Sequence, residues 1–305
     1  MLLEPFQARR FIGLRHWPTW IGLAIMWCIA RLPIRLQMGL GELIGGLALI
    51  LARSRRRVTE TNVALCFPDR TPSEQRSLVH DIFHSTGIST VETAIAWFRD
   101  PEDFRNRLVV RGEEHLRRAQ SLGRGVVLAG AHFATLDMAG ALLSLIQDID
   151  VTYRPNRNAL FDLVMKRGRQ RLYDGVIDRR DARTLLRRLR KGRTVWYGAD
   201  QDYGRRSSVF APLFGVPAAT VTVTARLARF NDSPVVFVSH FRDTRKCTWS
   251  LEFTPLPDSY PSGDELSDAT LLNAIIESEI RRHPEQYLWL HRRFKTRPEG
   301  EEPPY

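Results

Sequence analysis

Residues 125–140 read GVVLAGAHFATLDMAG. Val126 to Ala129 form a short apolar run between Gly125 and Gly130, the pattern of a buried strand. Three similar runs follow, at Val151 to Tyr153, Thr194 to Tyr197 and Val235 to Val238. Helical patterns separate them, notably Leu160 to Leu172 and Ala182 to Leu189. Strands alternating with helices predict an α/β domain with a mostly parallel central sheet flanked by helices. Upstream, Thr71-Pro72-Ser73-Glu74 reads as a helix start, with Thr71 as cap and Pro72 in the first turn. Helical spacing continues through Leu78, Ile82 and Phe83 toward Trp97.

The strand in this stretch is followed by His132, with Asp137 five residues on. In one helix a spacing of five turns two side chains about 140° apart. The pair can meet only if His132 sits in the strand-to-helix turn and Asp137 in the first turns of the helix. A carboxylate placed there would fix the imidazole tautomer and stabilise an imidazolium. With no serine or cysteine nucleophile beside it, and no Gly-x-Ser-x-Gly, such a dyad suits a general base acting on a hydroxyl. The plainer reading makes His132 a loop residue and Asp137 a helix-start residue favoured by the macrodipole.

Lysine and arginine number 45 against 34 acidic residues, a formal charge of +11, which fits nucleic acid, anionic lipid or an acidic carrier protein as partner. No nucleic-acid recognition motif accompanies the charge, so a nucleic-acid partner is not expected. The cysteines, Cys28, Cys66 and Cys247, are far apart and lack Cys-x-x-Cys spacing, so neither a disulfide framework nor a zinc site is expected. From Trp17 to Ala30 the chain carries no charge, between Arg9, Arg10 and Arg15 on one side and Arg31 on the other. A second apolar stretch, Leu36 to Ala52, is interrupted by Glu42 and ends in Arg53, Arg55, Arg56 and Arg57. Apolar runs with tryptophans and flanking arginines read as membrane attachment, spanning or interfacial, and otherwise as a pair of core helices. No small-x-small site ends the first run as a signal peptide would require. Gly41-x-x-x-Gly45 would allow close helix packing. The expected division is an anchoring segment over 1–52 and a catalytic domain over 53–305.

Several blocks together carry a resemblance: WPTWIGLAIMW and NVALCFP near the start, VETAIAWF, the His132-x-x-x-x-Asp137 motif, YRPNRN, VWYGADQDYGRRSSVFAPLFG, and HPEQYLWLHRRFKTRPEG. Over nearly its full length the chain resembles the lipid A biosynthesis lauroyl/myristoyl acyltransferases, most of all their lauroyltransferase branch, where glutamate is common at the position of Asp137. The resemblance implies a glycerolipid-acyltransferase-like fold and an enzyme of the Gram-negative inner membrane, with its catalytic domain on the cytoplasmic side. It implies transfer of a fatty acyl chain, laurate or similar, from acyl carrier protein. The acceptor would be the 3-hydroxyl of a hydroxyacyl chain on a phosphorylated, Kdo-bearing lipid A precursor. His132 would take the hydroxyl proton, Asp137 would orient His132, and neither cofactor nor metal would be needed. Oxyanion donors are expected among backbone amides near the helix start.

Around this pair, Arg154 in YRPNRN lies just past an expected strand, where α/β proteins gather ligand groups, and its planar charge suits a phosphate or acidic sugar. Arg169 resembles a family arginine associated with the active site. Asp200, Asp202 and Arg205 follow the strand VWYG and should emerge on the same sheet edge as His132, shaping the glycolipid site. The helix DRRDARTLLRRLRKGR presents Arg183, Arg187, Arg188 and Arg190 either as a solvated face or as a docking surface for acyl carrier protein or anionic membrane. Two alternatives remain at this point: a glycerolipid or lysophospholipid acyltransferase with the same His-Asp chemistry, and a basic, membrane-attached binding protein without catalysis.

Overall fold

The computed structural model describes residues 8–305, so the first seven residues of the expected anchor lie outside the described residues. Helices α1 (Trp17–Ile29), α2 (Ile34–Leu51), α3 (Arg53–Cys66) and α4 (Pro72–Phe98) come first. Strand β1 (Leu108–Arg111), α5 (Glu113–Ser121), β2 (Val126–Gly130), α6 (Leu136–Leu143), β3 (Ile149–Tyr153), α7 (Ala159–Leu172), β4 (Gly175–Asp178), α8 (Ala182–Arg190) and β5 (Thr194–Gly198) then alternate. A hairpin of β6 (Ser208–Leu213) and β7 (Val216–Val221) precedes α9 (Val223–Asn231), β8 (Val235–Asp243), β9 (Thr248–Pro255) and α10 (Glu265–Arg282).

Among the described residues, seven strands form one sheet in the order β1-β9-β8-β2-β5-β3-β4. Strands β8, β2, β5, β3 and β4 run parallel. At one edge β9 turns back antiparallel to β8 and carries β1 parallel to itself. Every residue of β2 is buried because helices cover both faces of the sheet. The two-residue period sorts its side chains: Val127 and Ala129 pack with Val195 and Phe237 on one face, while Val126 and Leu128 join Ile149, Val236 and Leu251 on the other.

Helix α4 begins where Thr71 predicts it, through a reciprocal cap. The Thr71 hydroxyl accepts from the Glu74 amide at 3.3 Å and the Glu74 carboxylate accepts from the Thr71 amide at 2.7 Å. Its inner end is tied to the sheet by a buried network. Glu92 accepts from Arg242 at 2.7 Å and from the Trp249 indole at 2.5 Å, and Arg242 also reaches Ser85 at 2.9 Å. Helix α2 lies along α4, and here Gly41-x-x-x-Gly45 works within the chain. A Cβ on Gly41 would stand 2.6 Å from Ile88 Cα, one on Gly45 would stand 2.7 Å from His84 Cα, and one on Gly87 would strike the backbone of both glycines. Gly87→Leu is therefore expected to force the helices apart and cost about 1–3 kcal/mol or more. Gly46→Ala, whose Cβ would meet nothing nearer than 3.7 Å, should leave stability unchanged or slightly raised. Thermal unfolding of the two variants side by side checks this close approach.

Candidate active site

Strands β2 and β5 pair in register, Gly130 opposite Gly198, and the ladder ends with the Ala199 amide donating to Gly130 O at 3.1 Å. Each strand then continues Gly-Ala and delivers a polar residue: Gly130-Ala131-His132 and Gly198-Ala199-Asp200. The two arrive at the same height. Asp200 accepts from His132 twice, at 2.6 Å from Nδ1 and at 2.9 Å from the backbone amide. With Nδ1–H donating to Asp200, Nε2 keeps its lone pair for a substrate. A Cβ on Gly198 would come within 2.6 Å of His132 Cε1, so the imidazole occupies space that a side chain at position 198 would need, with the Trp196 ring edge-on at 5.7 Å.

Burial works against a charged imidazole here, but the Asp200 carboxylate outweighs it and raises His132 above the ordinary value of 6.5. Burial would also push Asp200 up. The charge of His132 and hydrogen bonds from its ring and amide prevail and hold the carboxyl down to about 2. Nearby His240 is driven down to about 3 by burial and by the charge of His132, and Thr135 Oγ1 lies 2.8 Å from its Nδ1.

The turn that carries His132 is clamped by a segment from the other end of the chain. Leu288 N donates to His132 O at 3.0 Å, Ala134 N donates to Gln286 O at 2.6 Å, and Phe133 bridges Tyr287. Asn62 on α3 holds that segment through Trp289 O at 2.7 Å and His291 O at 2.9 Å.

His132 opens into a cavity of about 580 Å³ between the sheet and α6. Its lining combines apolar Leu136, Leu143, Ile149, Val151, Val238 and Leu251 with the arginines Arg154, Arg169, Arg179 and Arg180.

The expected pairing of His132 with Asp137 is not what forms. Asp137 lies one residue into α6, where its carboxylate meets Thr93 Oγ1 at 2.9 Å and Arg169 at 3.4 Å, so it lines the cavity near His132 without taking the Nδ1 proton. The five-residue separation turns it away, whereas the neighbouring strand supplies Asp200 in register. Asp202 and Arg205 also depart from expectation. Asp202 is buried and accepts from Gly204 N, Thr296 N and Thr296 Oγ1 at 2.8–2.9 Å, and Arg205 donates to Arg297 O at 2.7 Å. Both hold the C-terminal segment instead of lining the cavity.

On α8, Arg188 forks onto fully buried Asp150 at 2.6 and 2.7 Å, which removes it from any docking surface; Arg183, Arg187 and Arg190 stay exposed. The backbone amides of His132, Ala134 and Leu136, candidates for an oxyanion, are already committed to Asp200, Gln286 and Phe133. Asp200, expected to shape the glycolipid site, partners His132, and the paired Gly-Ala-His and Gly-Ala-Asp endings carry the signal for that pairing; Thr93, Tyr173 and Trp196 border the site without having been expected there.

A mostly parallel sheet with a histidine–carboxylate pair at its carboxyl edge, beside a cavity lined by apolar residues and arginines, is the architecture of an α/β enzyme. The chain belongs to the bacterial lipid A biosynthesis acyltransferase family, whose model matches residues 5–296, and it is an acyltransferase. It is 40% identical over 295 residues, 96% of each chain, to the lipid A biosynthesis palmitoleoyltransferase of Escherichia coli K12. To the lauroyltransferase of the same organism it is 40% identical over 288 residues, 94% of each chain. To the myristoyltransferase it is 27% identical over 293 residues, 95% of this chain and 91% of that one. Identity thus sets the chain nearer the first two than the third without dividing laurate from palmitoleate. The glycerolipid and non-catalytic alternatives give way to this family.

If Asp200 raises His132, Asp200→Asn should lower the His132 titration midpoint, because burial then acts unopposed. A pH series of histidine carbon-13 spectra, with the His132 signal assigned by its loss in His132→Ala, checks this; an unmoved midpoint would remove Asp200 from its role.

Proposed function

We propose that this enzyme transfers a fatty acyl chain from an acyl carrier protein thioester to the 3-hydroxyl of a hydroxyacyl chain on a lipid A precursor, with His132 as general base. The observation that carries this reading is the His132–Asp200 pair, with His132 lining a cavity that combines apolar residues and arginines. The apolar lining residues suit a saturated acyl chain such as laurate. The arginines suit the phosphates and acidic sugar of a Kdo-bearing acceptor.

In the reaction, His132 Nε2 takes the hydroxyl proton as that oxygen attacks the thioester carbonyl. Asp200 holds the tautomer and stabilises the imidazolium. When the tetrahedral intermediate collapses, the carbon–sulfur bond breaks and the departing thiolate recovers the proton from His132. The products are an acyloxyacyl ester and the free carrier thiol, without a covalent acyl-enzyme. Asp137 restrains Arg169 in the cavity wall and adds negative charge near the imidazolium. No metal or cofactor enters this scheme. We place the enzyme at the inner membrane, with the catalytic domain on the cytoplasmic side where acyl carrier protein is available.

His132→Ala should reduce transfer by about 10²–10⁴-fold while leaving the fold and acceptor binding intact. Mass spectrometry of product formed from purified acyl carrier protein thioester and lipid A precursor reads this out, and near-normal turnover would sink the mechanism. Because the base must be neutral, kcat/KM should rise with pH through a His132 pKa above 6.5. In Asp200→Asn that rise should move to lower pH.

For the donor, reversing Arg183 and Arg187 to glutamate should raise the KM for acyl carrier protein several-fold at low salt and leave kcat largely unchanged, since exposed charges steer encounter. Arg188 is left in place because Asp150 depends on it. An unchanged donor KM, or an equal rise for the acceptor, would return α8 to a solvated face.

A further inference from the structure

We infer that α1 and α2 lie in the plane of one leaflet of an anionic membrane, fixed to the catalytic body, and that neither helix crosses the bilayer. This rests on the membrane placement proposed above and specifies its geometry.

Length alone leaves the matter open for α2. Its 18 residues extend about 27 Å against a hydrocarbon core of about 30 Å, and it is apolar enough to span. Helix α1, with 13 residues, reaches only about 20 Å. Packing decides what length does not. The contacts of Gly41 and Gly45 with Gly87 and its neighbours bring α2 against α4 backbone to backbone, so α2 cannot leave the body without opening that interface. Buried Gln37 donates to Ile29 O at 3.0 Å and Ala30 O at 2.9 Å, which fixes the corner between α1 and α2. Asn158, the cap of α7, donates to Thr19 at 2.8 Å and ties α1 down as well.

The remaining faces of both helices are apolar and bare. At about 100° per residue, Leu36, Leu43, Leu47 and Ile50 fall on the side of α2 opposite Gly41 and Gly45, and each is at least half exposed. Trp17, Ile21, Ile25 and Trp27 are similarly exposed on α1. Such an apolar patch on a soluble face calls for a cover. Charge says which: exposed Arg10 and Arg15 precede α1, Arg31 and Arg35 stand at the corner, and Arg53 to Arg57 follow α2. A helix crossing would send one of these clusters to the far side. An in-plane pair leaves all three at the same headgroup surface, with tryptophans at interface depth. The arrangement also has a use. Met26 of α1 shares an apolar cluster with Tyr153, which lines the catalytic cavity, so the leaflet meets the body beside the site.

The test labels the full-length enzyme with a membrane-impermeant maleimide. In a Cys28→Ser background, single variants Gly13→Cys, Arg35→Cys and Ser54→Cys are compared with Ser121→Cys on the body. All four should react in inverted inner-membrane vesicles and be protected in intact spheroplasts. Labelling of Gly13→Cys or Arg35→Cys from the opposite side to Ser121→Cys would overturn the inference. A second variant, Leu43→Asp with Leu47→Asp, should weaken binding to phosphatidylglycerol–phosphatidylethanolamine vesicles by roughly tenfold or more. Its thermal stability and its acyl transfer in detergent should remain at wild-type level. Undiminished vesicle binding, with conversion of a dimer to monomers, would assign the face to a second copy and overturn the inference. Since neither readout is catalysis, failure of the acyl-transfer mechanism would leave these results standing.

Discussion

The register between β2 and β5 is the constraint on which the site depends. Two parallel strands end at the same height, and each continues Gly-Ala before its functional residue. One residue of slip would send Asp200 to the other face, because the side-chain period of a strand is two. It would also remove Gly198 from beneath the imidazole, where a side chain cannot fit. Register is in turn enforced by burial on both faces: Val126 and Leu128 belong to one core, Val127 and Ala129 to another, and exchanging them would disturb both. The geometry of the His132–Asp200 pair is therefore a by-product of core packing several residues away.

Buried polar groups then hold the flanking elements to that centre. Glu92 joins α4 to β8 and β9 through Arg242 and Trp249, Gln286 pairs with both the amide and the carbonyl of Arg242, and Asp202 secures the backbone at Thr296. Removing one partner of such an ion pair leaves an uncompensated charge, at a cost of about 3–5 kcal/mol. Directional bonds of this kind fix orientation where apolar contacts alone would tolerate sliding. Asn62, Gln286 and Asp202 all act on the segment beside His132, so stability and site geometry share residues.

The sequence made the central strands legible because short apolar runs between glycines have few other uses, and it made the start of α4 legible because the Thr71 cap is local. It was less informative where tertiary partners supply the reason for a residue. Strand β8 runs on to Asp243 through Ser239, His240 and Arg242, polar residues that end an apolar pattern but are buried here against Thr135, Glu92 and Gln286. The β6–β7 hairpin carries Pro212 and Pro217 and has no clean alternation. At the site, a spacing of five drew attention to Asp137 as the partner of His132; Asp200 was placed on the same sheet edge, but its pairing with His132 across 68 residues needed the strand register. Arg188 looked like its neighbours on α8 until fully buried Asp150 gave it a partner.

The clamp over the histidine turn is contributed by residues that follow every strand of the sheet in the chain. Leu288 and Gln286, which bond to His132 and Ala134, are synthesised only after every strand of the sheet. During synthesis, then, α1 and α2 emerge well before the residues that close the histidine turn. On the membrane placement inferred above, a nascent chain reaches the bilayer while the histidine turn is still unclamped, so the order of translation puts positioning before closure of that turn.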